Sequence, residues 1–208
     1  MMALGMAAVA GMTGMGWGPA MAAQPLILVV GDSLSAEYGL TRGTGWVALL
    51  EQKLAAEKIP ARVVNASISG DTTSGGRARL AALLAQHKPT HVVIELGGND
   101  ALRGTSLTVT EDNLSQMTQA AQKAGAQVLL VGMQVPPNYG TAYADQFSGL
   151  FEKVARRHKA ALVPFLLTGV ADSPDAASFF QSDRIHPRAE AQPLMLANVW
   201  PQMRKLLK

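Results

Sequence analysis

Two kinds of block alternate along the chain. Short runs that are apolar on both faces recur at Leu26 to Val30, Arg62 to Ala66, His91 to Leu96, Ala126 to Val131 and Ala161 to Pro164. Their length and β-branched content predict buried strands. Amphipathic segments lie between them: 45–58, with Trp46, Leu49, Leu50 and Leu54 on one face, then 75–86, 110–123 and 143–158. A last helix falls within 189–207, and Thr110 with Asn113 three residues on reads as the start of the third. Strands apolar on both faces and alternating with helices mean a parallel sheet covered on both sides. No repeat, linker or low-complexity stretch divides residues 26–208, so they form one domain.

The first 25 residues break this pattern. They contain no Asp, Glu, Lys or Arg, and Ala20-Met21-Ala22 fits a small-x-small cleavage site. Residues 1–23 therefore read as a secretory signal peptide, cut after Ala22 or Ala23, with the domain at 24–208. A basic amino-terminal region is missing, and a Gly-rich leader or an uncleaved anchor is the other reading. The glycine content argues against a stable spanning helix. The expectation is a periplasmic or secreted protein without stable membrane insertion, acting as a monomer.

Composition narrows the chemistry. The 208 residues are 16% charged and 48% hydrophobic, which excludes a mainly disordered chain. No cysteine occurs, so a thiolate nucleophile and lipid attachment through cysteine are excluded. The net charge of +3 is scattered and lacks interleaved aromatics, which gives nucleic-acid binding little support. No second histidine lies at ligand spacing from His186, and no phosphate-cradling glycine motif is present. Neither a metal nor another cofactor is expected.

Four polar islands follow the strand candidates. Gly31-Asp32-Ser33-Leu34 ends the first strand, Ser69-Gly70-Asp71 follows the second, and Gly97-Gly98-Asn99-Asp100 follows the third; Asp183-Arg184-Ile185-His186-Pro187 lies near the carboxyl end. In an open α/β sheet the first three converge at one edge. Ser33 is a candidate nucleophile, His186 a base, and Asp183 the carboxylate that orients it. The Ser33 and Gly70 N–H groups and the Asn99 amide are candidate oxyanion donors, one such donor commonly contributing about 3 kcal/mol in the transition state. Taken singly, each island has a plainer reading: a turn serine, an Asx turn at Asn99, a salt pair at Asp183 and His186. Glu95, on a strand between apolar neighbours, must be hydrogen-bonded or paired and reads as a group holding a loop. His87, His91 and His158 read as surface or boundary residues.

In this order, the islands resemble the SGNH hydrolases, also called the GDSL esterase/lipase family, over about residues 25–203. The stretches 31–39, 65–76, 95–104, 132–140, 163–170 and 185–193 are closer still to its bacterial multifunctional thioesterase/lysophospholipase/arylesterase subgroup. The resemblance implies a three-layer α/β/α sandwich with a five-stranded parallel sheet, flavodoxin-like in class. It also implies a Ser33-His186-Asp183 triad, with Gly70 and Asn99 completing the oxyanion hole. Two departures stand out: Arg184 replaces a glycine, and Glu37 a small residue. Arg184 is expected to alter the loop or lower the pKa of Asp183, and Glu37 to place a carboxylate near the mouth.

The expected substrate is a small acyl or aryl ester or thioester. The expected lining is Leu34, Met133, Val135 and Pro136, with Phe147 and Leu166, and loops 133–139 and 105–110 form adaptable walls. A carbohydrate O-acetyl esterase is the alternative. A non-catalytic binding module would be marked by loss of Ser33, Asn99 or His186, and none is lost.

Overall fold

The computed structural model describes residues 24–208; the expected signal peptide lies outside the described residues. The five strands are β1 (Leu26–Gly31), β2 (Arg62–Asn65), β3 (His91–Glu95), β4 (Gln127–Val131) and β5 (Ala161–Val163). All pair in parallel in the order β2-β1-β3-β4-β5. Ile27 to Val30, Val92 to Ile94 and Leu129 to Val131 are all but inaccessible. Helices must therefore cover both faces of these strands, as their unbroken apolar runs predict.

The helices are α1 (Trp46–Ala56), α2 (Thr73–His87), α3 (Gly98–Leu102), α4 (Leu107–Lys123), α5 (Thr141–His158), α6 (Ala176–Phe179) and α7 (Gln192–Leu206). Helices α2, α4 and α5 pack side by side on one face, and α1 with α7 covers the other. The three-layer sandwich is thus as expected. Helix α1 buries Trp46, Val47, Leu50 and Leu54, and its first N–H donates to the Gln192 side chain at the head of α7. Helix α5 turns Phe147, Leu150, Phe151 and Val154 inward.

Helices α3, α4 and α6 differ from expectation, α6 being a four-residue helix that the sequence pattern does not announce. Helix α4 starts three residues early because Ser106, not Thr110, accepts from the Val109 N–H as its cap. Thr110 and Asn113 are buried instead, donating to Asp100 and to the Thr73 hydroxyl. The glycine turn after β3 passes at once into α3, which has too few residues to show a periodicity. His91 is buried, its ring bonded to Thr90 and to the Leu206 carbonyl, and so is a structural residue.

The order of the sheet reverses between β1 and β3. The crevice of an open α/β sheet lies at such a point, beyond the carboxyl ends of the strands. No helix among the described residues is long and apolar enough to cross a membrane.

Candidate active site

The chain leaves β1 at Gly31 and turns sharply. Ser35 and Ala36 N–H groups donate to the Asp32 carbonyl at 3.2 and 2.9 Å, and Leu34 N–H donates to the Asp32 carboxylate at 3.0 Å. This turn holds Ser33 at the crevice. The loop after β2 is fastened to the same strand end, since Ile68 N–H donates to the Gly31 carbonyl at 3.0 Å. Gly70 follows in the left-handed region (φ 78°), and its carbonyl accepts from the Arg103 guanidinium at 2.7 Å. Among the described residues, neither the Ser33 nor the Gly70 N–H donates a hydrogen bond. Both remain available to an incoming acceptor.

Asn99 lies in the first turn of α3, where its Nδ2 donates to the Asp32 carboxylate and to the Asp71 carbonyl, each at 2.9 Å. Its neighbour Asp100 is buried and accepts from the Thr73 N–H at 2.8 Å and from the Thr73 hydroxyl. Asn99 thus faces the crevice while Asp100 ties α3 to the head of α2.

The fourth island arrives from the opposite end of the chain. Residues Phe180 and Pro187 form an isolated antiparallel bridge, and Gln181 N–H donates to the His186 carbonyl. The Gln181 side chain donates to the Tyr38 carbonyl at 2.9 Å, which stitches this loop to the serine turn. A Cβ at Gly39 would collide with the Gln181 amide, and its φ of 69° is left-handed, so only glycine suits both demands. The His186 Nε2 then lies 2.9 Å from Ser33 Oγ, and its Nδ1 lies 2.7 Å from Asp183 Oδ2. The other Asp183 oxygen accepts from the Ile185 and His186 backbone N–H groups at 2.9 and 3.0 Å.

That bonding holds the Asp183 carboxyl down at about 2; the largest cause is the His186 backbone N–H, followed by its ring and the Ile185 N–H. Arg184 is not among the causes, which leaves the loop geometry as the one of its two expected effects that can apply. Arg184 instead occupies a left-handed conformation (φ 58°) at the crevice rim, with its N–H on the Gln181 carbonyl. Tyr38 lies against the His186 ring, centroids 4.2 Å apart and planes tilted by 36°. Sequence reasoning missed this residue, although it is an aromatic five positions after the serine.

Asp32 and Glu95 behave in the opposite way to Asp183. Both are buried, and burial pushes the Asp32 carboxyl up to about 6 and the Glu95 carboxyl well above the ordinary range. Glu95 accepts from the Ser35 hydroxyl at 2.7 Å and from the Asp32 N–H at 3.4 Å, which matches its reading as a loop-holding group.

The crevice has a volume near 1810 Å³. Leu34, Met133, Val135 and Pro136 line it, with Tyr139 from the same 133–139 wall, and so do Leu102, Phe165 and Ile185, which were missed. Phe147 and Leu166 do not line it: they are fully buried, Phe147 edge-on to Phe151 in the core. The 105–110 segment also lies away from it, its first residues being the cap of α4. Glu37 is a further correction. Its backbone is left-handed (φ 60°), and its carboxylate accepts from the Gly43 and Gly45 N–H groups beside a separate small polar hollow.

The GDSL-like Lipase/Acylhydrolase family model matches residues 29–193. The chain belongs to this family. Esterase TesA of Pseudomonas aeruginosa is 54% identical over 186 residues, 89% of this chain and 91% of that protein. The Escherichia coli (strain K12) thioesterase 1/protease 1/lysophospholipase L1 is 42% identical over 186 residues, 89% and 86% of the two chains. The crystal structure of TesA superimposes with a TM-score of 0.84, covering 87% of this chain and 99% of that one.

Proposed function

We propose that this protein is a carboxylic ester hydrolase acting on acyl or aryl esters and on thioesters, with Ser33 as nucleophile, His186 as general base and Asp183 as the group that orients the imidazole. The observation that carries the reading is the unbroken line from Ser33 Oγ through both ring nitrogens of His186 to Asp183, with spacings of 2.9 and 2.7 Å. The carboxylate fixes the tautomer, leaving Nε2 to take the serine proton. Ser33 attacks the carbonyl carbon. The tetrahedral oxyanion is held by the Ser33 and Gly70 N–H groups, which have no acceptor among the described residues, and by Asn99, which shares one of its amide hydrogens with the new oxygen. Collapse expels the alcohol or thiol, protonated by His186, and water repeats the cycle on the acyl-enzyme.

The substrate class rests on the apolar crevice and on the relatives. Leu34, Met133, Val135 and Pro136 offer an acyl or aryl group an apolar surface from which it would displace water on binding, and themselves give no partners to sugar hydroxyls. The relatives' names add esterase, thioesterase and lysophospholipase activities to this reading. Export also belongs to it. Residues 1–23 carry no charged side chain and end in small residues, and β1 begins at Leu26. Mass spectrometry of the protein from fractionated native cells checks this, with an amino terminus at Ala23 or Gln24 expected.

A panel of chromogenic acyl esters, an acyl thioester, a lysophospholipid and an acetylated sugar tests the activity. Turnover of the acyl substrates, abolished in Ser33→Ala, is expected. Turnover of the acetylated sugar alone would overturn the substrate class.

A further inference from the structure

Two buried carboxyl groups lie directly beneath the nucleophile turn, and the acyl-transfer chemistry above uses neither. We propose that Asp32 and Glu95 are a positioning pair: Glu95 is uncharged in the working enzyme, and Asp32 carries the pair's single negative charge and aims the Asn99 amide. This inference rests on the reading of Ser33 as nucleophile and Asn99 as oxyanion donor.

The register of the sheet creates the pair. Gly31 on β1 lies opposite Glu95 on β3, so the Glu95 side chain rises under the residues that follow Gly31. A Cβ at Gly31 would come within 2.8 Å of Glu95 Oε2 and 2.7 Å of Ser35 Oγ, so glycine is what lets the carboxyl approach. Glu95 is fully buried and makes no salt bridge to a described Lys, Arg or His. Its Oε1 has no hydrogen-bond partner among the described residues. An ionised carboxylate in that position would have one oxygen unsolvated and a second carboxylate beside it, which is a strongly unfavourable arrangement. Two neighbouring carboxyl groups relieve it by keeping one proton.

Asp32 is the member equipped to hold the charge. One oxygen accepts from Leu34 N–H at 3.0 Å and the other from Asn99 Nδ2 at 2.9 Å. The titratable groups that act on it are Glu95 from β3, Asp71 from the loop after β2, and His186 across the crevice. Asp71 is itself neutralised by Arg79, whose guanidinium approaches to 2.7 Å. His186 favours the Asp32 anion, and more strongly once the imidazole has taken the serine proton. Ionised, Asp32 accepts only, so it fixes the Nδ2 end of Asn99 and the Leu34 N–H together. Protonated on the oxygen that faces Asn99, it is a weaker acceptor, and the Asn99 amide is then held mainly by the Asp71 carbonyl, with its aim relative to Ser33 loosened. Burial places that change near pH 6, so the oxyanion donor loosens on acidification by a route separate from His186.

Infrared difference spectroscopy on the intact protein tests the pair. At pH 8, one buried, protonated carboxyl C=O band is expected in the wild type, Asp32→Asn and Ser33→Ala, and none in Glu95→Gln. On acidification a second band should grow in with a midpoint at about pH 6. It should be missing from Asp32→Asn. Kinetically, Glu95→Leu should lower kcat about tenfold with little change in KM, because the Ser35 and Asp32 donors lose their acceptor, and Glu95→Gln should recover most of that loss. A wild type without the pH 8 band, or a Glu95→Leu enzyme as active as Glu95→Gln, would overturn the proposal. An active Ser33→Ala enzyme would instead overturn the nucleophile assignment, while the bands still report on the pair.

Discussion

Two aspartates flank the Ser33–His186 contact, and their surroundings drive them in opposite directions. Asp183 stands on a loop with its side chain about a third exposed, and three N–H groups converge on it. Asp32 sits 2% exposed under the turn with two donors, next to a second carboxyl. The first is held at about 2 and the second is raised to about 6. The number of hydrogen bonds decides the exposed case, and desolvation outweighs them in the buried one. The same residue type thus serves as a permanent anion that orients a base on one side of the serine. On the other side it is a carboxylate that titrates within the range over which the enzyme can be assayed.

The largest expected effect breaks the exposed side. His186→Ala should lower kcat/KM by roughly 10⁴-fold or more, with the fold retained, and Asp183→Asn should cost less than His186→Ala. Steady-state kinetics beside thermal melts check both. Equal activity of Asp183→Asn and wild type would mean that the tautomer of His186 is fixed by something else.

The next effects concern what the buried side supports. Asn99→Ala should lower kcat/KM by about 100-fold, or about 3 kcal/mol, with little change in melting temperature. Asp100→Ala should show the reverse pattern, because the buried Thr73 N–H and hydroxyl lose their acceptor, at about 1–3 kcal/mol of stability. Similar kinetics for the two variants would remove the distinction between a donor and a brace.

Stability against pH sharpens the comparison further. Asp32 binds its proton more tightly folded than unfolded, so its burial costs nothing below about pH 4. The penalty grows as pH rises through 6, reaching about 3 kcal/mol for a shift from 3.8 to about 6. Asp183 has the opposite sign: its contribution is present above the unfolded value of 3.8 and is lost as pH falls toward 2. Denaturant titrations should show wild-type stability falling from about pH 4 upward, with Asp32 and Glu95 both contributing; Asp32→Asn should remove the part that saturates near pH 6, and Glu95→Gln the part that continues above it. Asp183→Asn should flatten only the loss below pH 4. The smallest effect is at Arg184, whose left-handed backbone Arg184→Gly should relax, changing stability by no more than about 1 kcal/mol and kcat/KM little.

The exposed side was far more legible in the sequence than the buried one. Ser33, Asp183 and His186 stand in short polar islands at strand ends, and an α/β sheet gathers such islands at one edge. The strands were readable because each is apolar on both faces. The charge relation between Asp32 and Glu95 was not readable, because it depends on Gly31 pairing with Glu95 in the sheet, and register leaves no mark on either segment alone. Glu37 was misplaced because a left-handed backbone turns its carboxylate back onto Gly43 and Gly45. Phe147 and Leu166 were misplaced because a position near the crevice does not say which way an apolar side chain turns; core packing took both. Tyr38 reaches His186 only through the Gln181 stitch between two loops more than a hundred residues apart.

Every step of the acyl transfer follows from Ser33 Oγ being the atom that is acylated. Incubation with an organophosphonate ester, followed by peptide mass spectrometry, tests this directly. One adduct per chain is expected, on Ser33, with ester turnover lost in step with labelling and no adduct on Ser33→Ala. An adduct on another residue, or ester turnover by Ser33→Ala at the wild-type rate, would contradict it.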